Sequence, residues 1–396
     1  IAHQIRAQKE RDQKKLAVKA KREANADPTL ETCEDGECED PPAGDDPVKY
    51  NMYRQCARQN PQDPKPKPNL EGLPVTIPEK VGVDNIFLTK KNAKVLKMDK
   101  EVKNMNSLAP SMDTVKSTYT FRSCGVVGNG GGMKHSHMGD AINSHDVVLR
   151  LNQAPVEGYK RFVGYKTSFR MLNNLWTERY ARRAKFEEER EAILPLERKV
   201  TLIISRANGH EYDDLYSSVR KDRSDVAIIL LSSRTVSSAR RLLTGYRSRM
   251  CEAGYGPYPG GSTPSSGFVA VYLMLQLCDQ VSVYGFGTQH AGPGRVVKYH
   301  YYTGIGARDF GTLRADNTPV HSWEAEEQVI RALARAKHLE MCVVMTGNDT
   351  ATRYNNQYCG FNNRHLTDDM RRTRIKIRRD ELRSQGRLEE LMDRTC

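Results

Sequence analysis

The chain has 396 residues, which at roughly 150 residues per domain allows one large domain or two to three small ones. Its longest uninterrupted apolar run, Phe268 to Leu275, is far short of the ~20 residues that span a bilayer, and its first residues do not read as a signal peptide. The net charge of +13 is compatible with solubility, an anionic small molecule or nucleic acid, but no aromatic-glycine RNA motif and no C-x-x-C finger spacing supports the last. No nucleic-acid partner is therefore expected.

In chain order, residues 1–26 are mostly Lys, Arg, Gln, Ala and Glu, as suits an exposed helix or stalk. An acidic run comes next over 31–46, with Pro41-Pro42 and a further proline cluster from Pro61 to Pro68, and this composition cannot bury enough apolar surface to fold. The acids lack the alternating register of a calcium loop. Residues 1–80 are thus read as a stem or linker, 81–350 as the patterned, folded part and 351–396 as a charged C-terminal extension.

Strand-like runs recur at Cys124–Val127, His145–Leu151, Val200–Ser205, Val226–Ser232 and Gln280–Phe286. Between and beyond them lie helical patterns at Trp176–Ile193, Val236–Met250, Ser265–Cys278 and Ser322–Leu339. Strands alternating with helices of this length predict an α/β fold, a mainly parallel, Rossmann-like sheet flanked by helices.

Nine cysteines, at 33, 38, 56, 124, 251, 278, 342, 359 and 396, show no zinc spacing, and the odd count alone does not decide the redox compartment. Asn348-Asp349-Thr350 is a glycosylation acceptor pattern, which favours a secretory route if exposed.

The segment Cys124 to Gly132, Cys-Gly-Val-Val-Gly-Asn-Gly-Gly-Gly, runs a buried-strand pattern into a glycine-rich turn, where backbone N–H groups can approach a phosphate. The next segment, Met133 to Gly139, is a poor helix start, so the dinucleotide fingerprint of a nicotinamide enzyme is disfavoured. Beyond the glycines, Gly139, Ile142, His145-Asp146, Arg150 to Pro155 and Val163-Gly164-x-Lys166-Thr167 continue a longer pattern. A second group comprises Pro264-Ser-Ser-Gly267, an apolar stretch ending in Cys278-Asp279, and Val281-x-Val283-Tyr-Gly-Phe-Gly287. Two short groups come after these in order: His300-Tyr301-Tyr302, and His321 with Glu326 five positions on. Together these resemble the long, short, third and very short motifs of the eukaryotic sialyltransferase family, over about Phe121 to Leu339.

The resemblance implies a variant GT-A-like glycosyltransferase fold and an inverting, metal-independent transfer from a CMP-activated sialic acid to a hydroxyl of a glycan acceptor. It also implies the Golgi lumen, reached by a type II membrane protein whose anchor lies outside these 396 residues. Carried onto this chain, Asn129 and Asn152 would contact the nucleotide, and Ser265, Ser266 and Gly267 the donor's carboxylate or ribose, with Gly287 in the same donor-binding set. His300 would serve the leaving phosphate and His321 would be the general base, with Glu326 supporting it. A Cys124–Cys278 disulfide is implied as well.

Each residue also has a plainer reading. Ser265 or Ser266 suits an ordinary helix N-cap, Glu326 a favourable first-turn charge, Tyr301 and Tyr302 packing, and Cys124 and Cys278 two buried thiols. The chain departs from common family residues at Gly132, Asn143, Thr263 and Thr303, all around the donor. Another CMP-linked 2-keto sugar acid, such as CMP-Kdo, is therefore an alternative donor, and a non-catalytic relative that binds CMP or glycan is an alternative function.

Overall fold

The computed structural model describes residues 73–75, 85–98, 100–258, 260–287, 298–305, 320–344 and 359–361. The expected stem apart from 73–75, most of the C-terminal extension and Asn348 lie outside these residues.

Seven strands form one sheet: β1 (Phe121–Val127), β2 (Val147–Leu151), β3 (Phe169–Leu172), β4 (Thr201–Ile204), β5 (Ala227–Leu230), β6 (Cys278–Tyr284) and β7 (Glu340–Cys342). Their spatial order is β5-β4-β3-β2-β1-β6-β7, and every pairing is parallel. Parallel neighbours need crossover connections, and helices supply most of them. The helices are α1 (Met112–Thr118), which precedes β1, and then α2 (Gly139–Asn143), α3 (Lys160–Val163), α4 (Asn174–Ala181), α5 (Arg183–Arg190), α6 (Gly209–Asp222), α7 (Ser233–Glu252), α8 (Ser266–Leu277) and α9 (Trp323–Arg335). The α/β class and the parallel sheet are as the sequence predicts.

The sheet winds outward from β1 in two directions, through β2 to β5 on one side and through β6 to β7 on the other. Strand order reverses between β1 and β6, and in open parallel sheets the crevice outside the carboxyl ends at such a reversal is where ligands bind. The carboxyl ends there are Val127, leading into Gly128, and Tyr284, leading into Gly285.

Helix α8 is buried almost all round, from Gly267 through Met274, and packs in a core with α7, α9 and the faces of β1, β2 and β6. A second core lies under α4, α5 and α6 against β4 and β5. The implied disulfide is present: Cys124 in the middle of β1 is bonded to Cys278, where α8 turns directly into β6. A second bond, Cys342–Cys359, ties the end of β7 to residues 359–361.

The sequence reading differs from the structure in several elements, among them the short helices α1, α2 and α3, which it does not predict. The single helix predicted over Trp176–Ile193 is two, α4 and α5, broken at Arg182. Helix α6 is not predicted, although Asn208 and Glu211 form a reciprocal capping box and Tyr212, Leu215 and Val219 make its buried stripe. Strand β3 hides behind a central Arg170, and β7 is only three residues long.

Candidate active site

At the reversal point lies a cleft of about 530 Å³, a size ordinary for a small-ligand site. Its lining brings together Asn129, Asn152, Ser265, Ser266, Gly267, Gly287, His300, His321 and Glu326. Residues from four separate sequence motifs therefore share one cavity.

The serine turn opens α8. Ser265 is the N-cap: its Oγ accepts from the Phe268 N–H at 3.1 Å, while Val269 N–H makes the first bond to the Ser265 carbonyl. The Ser265 N–H and Oγ–H both go to Glu326, each at 2.6 Å. The N–H groups of Ser266 and Gly267, in the first turn, have no hydrogen-bond partner among the described residues. Both residues line the cleft, so the helix presents two donors and the positive end of its dipole there.

Glu326 departs from its expected role. Both its oxygens are engaged by Ser265 rather than by the imidazole, so it fastens the first turn of α9 to the start of α8. The group that orients His321 is the Thr263 carbonyl, 2.8 Å from Nδ1. A carbonyl only accepts, so Nδ1 carries the proton and Nε2 is the basic nitrogen. The carbonyl is delivered by the loop before it: Arg247 donates to the carbonyls of Tyr258, Gly260 and Gly261, and Gly260, at φ +95°, lies where a Cβ would strike the His321 carbonyl. Because the backbone of residue 263 does this work, Thr in place of a larger residue leaves the contact intact.

Burial pushes the Glu326 carboxyl up to about 7, against the Ser265 bonds and the Arg206 charge that pull it down. Arg206 itself donates to the Pro264 carbonyl, at the back of the serine turn.

The opposite wall begins at the glycine-rich turn. Its N–H groups are not a phosphate cradle as a set: Gly128 N–H donates to Tyr284 O at 2.7 Å and Gly130 N–H to Gly285 O at 3.3 Å. A Cβ at Gly128 or Gly130 would meet the Gly285 oxygen at 2.6 or 2.7 Å, so these glycines let β1 and β6 end in close contact. Asn129 stands between them. Its carbonyl accepts from Tyr301 N–H at 3.0 Å and its Nδ2 lies 3.4 Å from the Tyr302 hydroxyl, while its buried Oδ1 has no partner among the described residues. His300 pairs as an antiparallel bridge with Gly130 and stacks on Tyr302 at 4.8 Å. Tyr301 and Tyr302 are both buried, Tyr301 donating to the Pro155 carbonyl at 2.6 Å, so packing and anchoring are their roles.

Asn152 follows β2 with a left-handed backbone, φ +49°. Its Oδ1 accepts from Asn173 N–H at 3.0 Å, and its carbonyl accepts from Arg170 Nη1 at 2.7 Å. Arg170 is fully buried and also pairs with Glu197. Desolvation pushes the Glu197 carboxyl up, but the Arg170 charge and hydrogen bond outweigh it and hold the group below the ordinary carboxylate range. Asn143, a departure from the family pattern, accepts from Tyr165 and Lys166 N–H at 2.8 and 3.0 Å through Oδ1, a bond that a carboxylate oxygen makes equally well.

Both of the chain's two tryptophans line the cleft, although motif reading singles out neither. Trp323 meets His321 edge to face at 5.3 Å and Tyr299 at 6.0 Å, while Trp176 carries Arg179 over its ring at 4.5 Å. The signal available in sequence was Trp323 two positions after His321. The one compact group of potential metal ligands among the described residues, Glu340, Cys342 and Cys359, contains the second disulfide and lies outside the cleft lining.

The profile of Glycosyltransferase family 29 (sialyltransferase) matches residues 78–338, and the chain belongs to this family. It is 27% identical over 265 residues to the human CMP-N-acetylneuraminate-beta-1,4-galactoside alpha-2,3-sialyltransferase, covering 65% of this chain and 63% of that protein. It is 28% identical over 225 residues to the pig CMP-N-acetylneuraminate-beta-galactosamide-alpha-2,3-sialyltransferase 1, covering 55% of this chain and 57% of that one. The chain thus spans less than two thirds of the length of these curated relatives. A crystal structure of a mammalian sialyltransferase aligns with a TM-score of 0.41 at 21% identity, over 74% of this chain and 84% of that one.

Proposed function

We propose that this protein transfers sialic acid from CMP-sialic acid to a hydroxyl of a glycan acceptor, with inversion. One observation carries the reading: the N–H groups of Ser266 and Gly267, unpaired among the described residues, share a cleft with a histidine whose tautomer leaves Nε2 basic. In this scheme the serine turn binds the donor's anomeric carboxylate, and the buried Oδ1 of Asn129 accepts from a nucleotide N–H or O–H. Asn152 flanks the nucleotide on the other side, and Gly287 shapes the donor wall beside Glu327.

His321 Nε2 takes the proton of the acceptor hydroxyl as its oxygen attacks the anomeric carbon. The bond from that carbon to the CMP phosphate oxygen breaks on the opposite face, and the electron pair leaves with CMP. His300 lies beside the glycine turn, where an imidazole can donate to the departing phosphate. Glu326 serves by fixing Ser265 and thereby the carboxylate site. No step in this scheme requires a metal ion.

We assign the transfer to residues 81–350, with 1–80 as a stem and 351–396 as an extension. The Golgi lumen, with an anchor outside this chain, is the proposed location. The disulfides Cys124–Cys278 and Cys342–Cys359 support an oxidising compartment, and among the described residues no helix is long and apolar enough to cross a membrane.

The test is CMP release from CMP-sialic acid and, separately, CMP-Kdo, over a panel of galactosides and pectin-like oligosaccharides. Acceptor-dependent release is expected from CMP-sialic acid, reduced ~10²-fold or more by His321→Ala. Release from CMP-Kdo alone replaces the donor in the proposal, since both donors carry a carboxylate and a CMP leaving group. Tight CMP binding with no release from either donor overturns it in favour of a non-catalytic binding relative.

A further inference from the structure

Strands β2 and β3 place Arg150 directly opposite Arg170, and both side chains are fully buried. Two adjacent guanidinium groups in a sheet interior repel, and each must be hydrogen-bonded to persist there. Arg150 meets this in part with neutral acceptors: Nη2 donates to Val163 O at 2.7 Å and Lys166 O at 2.9 Å, and Nε to Thr167 Oγ1 at 3.0 Å, while Nη1 has no partner among the described residues. Arg170 is different. Its Nε and Nη2 both go to the carboxylate of Glu197, which leaves Nη1 directed at two carbonyls, Asn152 O at 2.7 Å and Ala154 O at 3.1 Å. Thr167 joins the two arginines, accepting from Arg150 and donating to Glu197 Oε1 at 3.1 Å.

Asn152 and Ala154 belong to the turn that carries Asn152 into the cleft, and Asn152 sits there in a left-handed conformation, which asparagine tolerates better than most non-glycine residues. The carboxylate fixes the plane of the guanidinium, and that plane fixes both carbonyls. Tyr301 donates to the Pro155 carbonyl, closing the same turn from the side that holds His300.

We infer that Glu197, which lies outside every motif in the sequence, is a positioning residue for the donor: through Arg170 it sets the turn that presents Asn152 to the nucleotide. The inference rests on the reading of Asn152 as a nucleotide contact. It predicts a defect confined to the donor side, because the serine turn and His321 are held by other contacts.

The experiment compares wild type, Glu197→Gln, Asn152→Ala and the double variant for CMP binding by calorimetry and for donor and acceptor KM. Val219→Ala, a core truncation in α6, serves as a control for lost stability. Glu197→Gln is expected to weaken CMP binding and raise donor KM roughly tenfold, with acceptor KM unchanged within about twofold. In the Asn152→Ala background the same substitution should add nothing to the loss of CMP affinity. Thr167→Val, which removes one bond to Glu197, should act in the same direction to a smaller extent and supplies the answer if Glu197→Gln does not fold. Unchanged donor KM in these variants, additive losses in the double variant, or an equal donor defect in Val219→Ala would each overturn the inference. If Asn152→Ala binds CMP as tightly as wild type, the donor-site reading itself fails, and the inference with it.

Discussion

The two walls of the cleft each depend on a glutamate, Glu326 buried and Glu197 half-buried, and the two are held in opposite ways. On the wall built by α8 and α9, Glu326 has no cation in its hydrogen-bond shell among the described residues. Its bonds come from the Ser265 N–H and hydroxyl, and burial raises it to about 7. On the wall built by β2 and β3, Glu197 is paired with a fully buried arginine and held below the usual carboxylate range. The first arrangement lets a carboxyl group take or lose a proton near neutrality without losing its partner. The second is a fixed charge pair that orders a turn. In the proposed function the first wall receives an anionic group at the serine turn, beside a carboxyl that is only partly ionised near neutral pH, while the other wall commits an ion pair to backbone geometry.

The sharpest way to break the comparison is to remove one carboxylate. Glu197→Leu leaves Arg170 buried without its anion and should cost about 3–5 kcal/mol, read as a lower midpoint in urea unfolding. Next, Cys124→Ser removes the bond between β1 and the start of β6, on which both walls stand, and should cost about 2–5 kcal/mol by the same measurement.

Smaller, but more specific, is the pH dependence. Because the folded-state value of Glu326 is raised above its unfolded value near 4.5, the native protein holds a proton that the unfolded chain gives up, so this group loses stabilising effect as pH rises from about 4.5 through 7. Glu197, shifted the other way, contributes stability above about 4.5 that is lost as pH falls further. His145 is lowered to about 4, chiefly by burial, and its contribution is lost as pH falls from 6.5 toward 4. The difference between wild type and Glu326→Gln isolates the first effect: a slope of at most about 1.4 kcal/mol per pH unit over that window, present in wild type and absent in the variant. A flat difference curve would show that Glu326 keeps its ordinary value. Last, Ser265→Ala should cost about 1 kcal/mol for the lost cap and push the Glu326 carboxyl higher still, since the Ser265 bonds hold it down.

Most of the sheet was legible because strands such as β4 and β5 are short, near-continuous apolar runs, β1 and β6 end in apolar residues, and α8 and α9 carry clear helical patterns. The elements that escaped did so for identifiable reasons. Strand β3 has four residues with an arginine among them, so its pattern reads as polar until Glu197 is seen to pair with that arginine. Helix α6 did carry a legible capping box at Asn208 and Glu211, a local signal that outweighs its acidic composition. Within the site, the histidines, the serine turn and the asparagines were legible as motifs, while the roles of Glu326 and Thr263 were not.

The order of the motifs, the glycine at each tight passage and the hydroxyls at the start of an apolar helix are properties of neighbouring residues, and the sequence by itself determined them. Which nitrogen of His321 is basic, which group Glu326 grips and how Asn152 is held were decided only by tertiary structure. His321 meets Thr263 across 58 positions, Ser265 meets Glu326 across 61 and Arg170 meets Glu197 across 27. A hydrogen bond between such distant residues leaves no periodicity in the chain, because its geometry is set by how the sheet and helices pack.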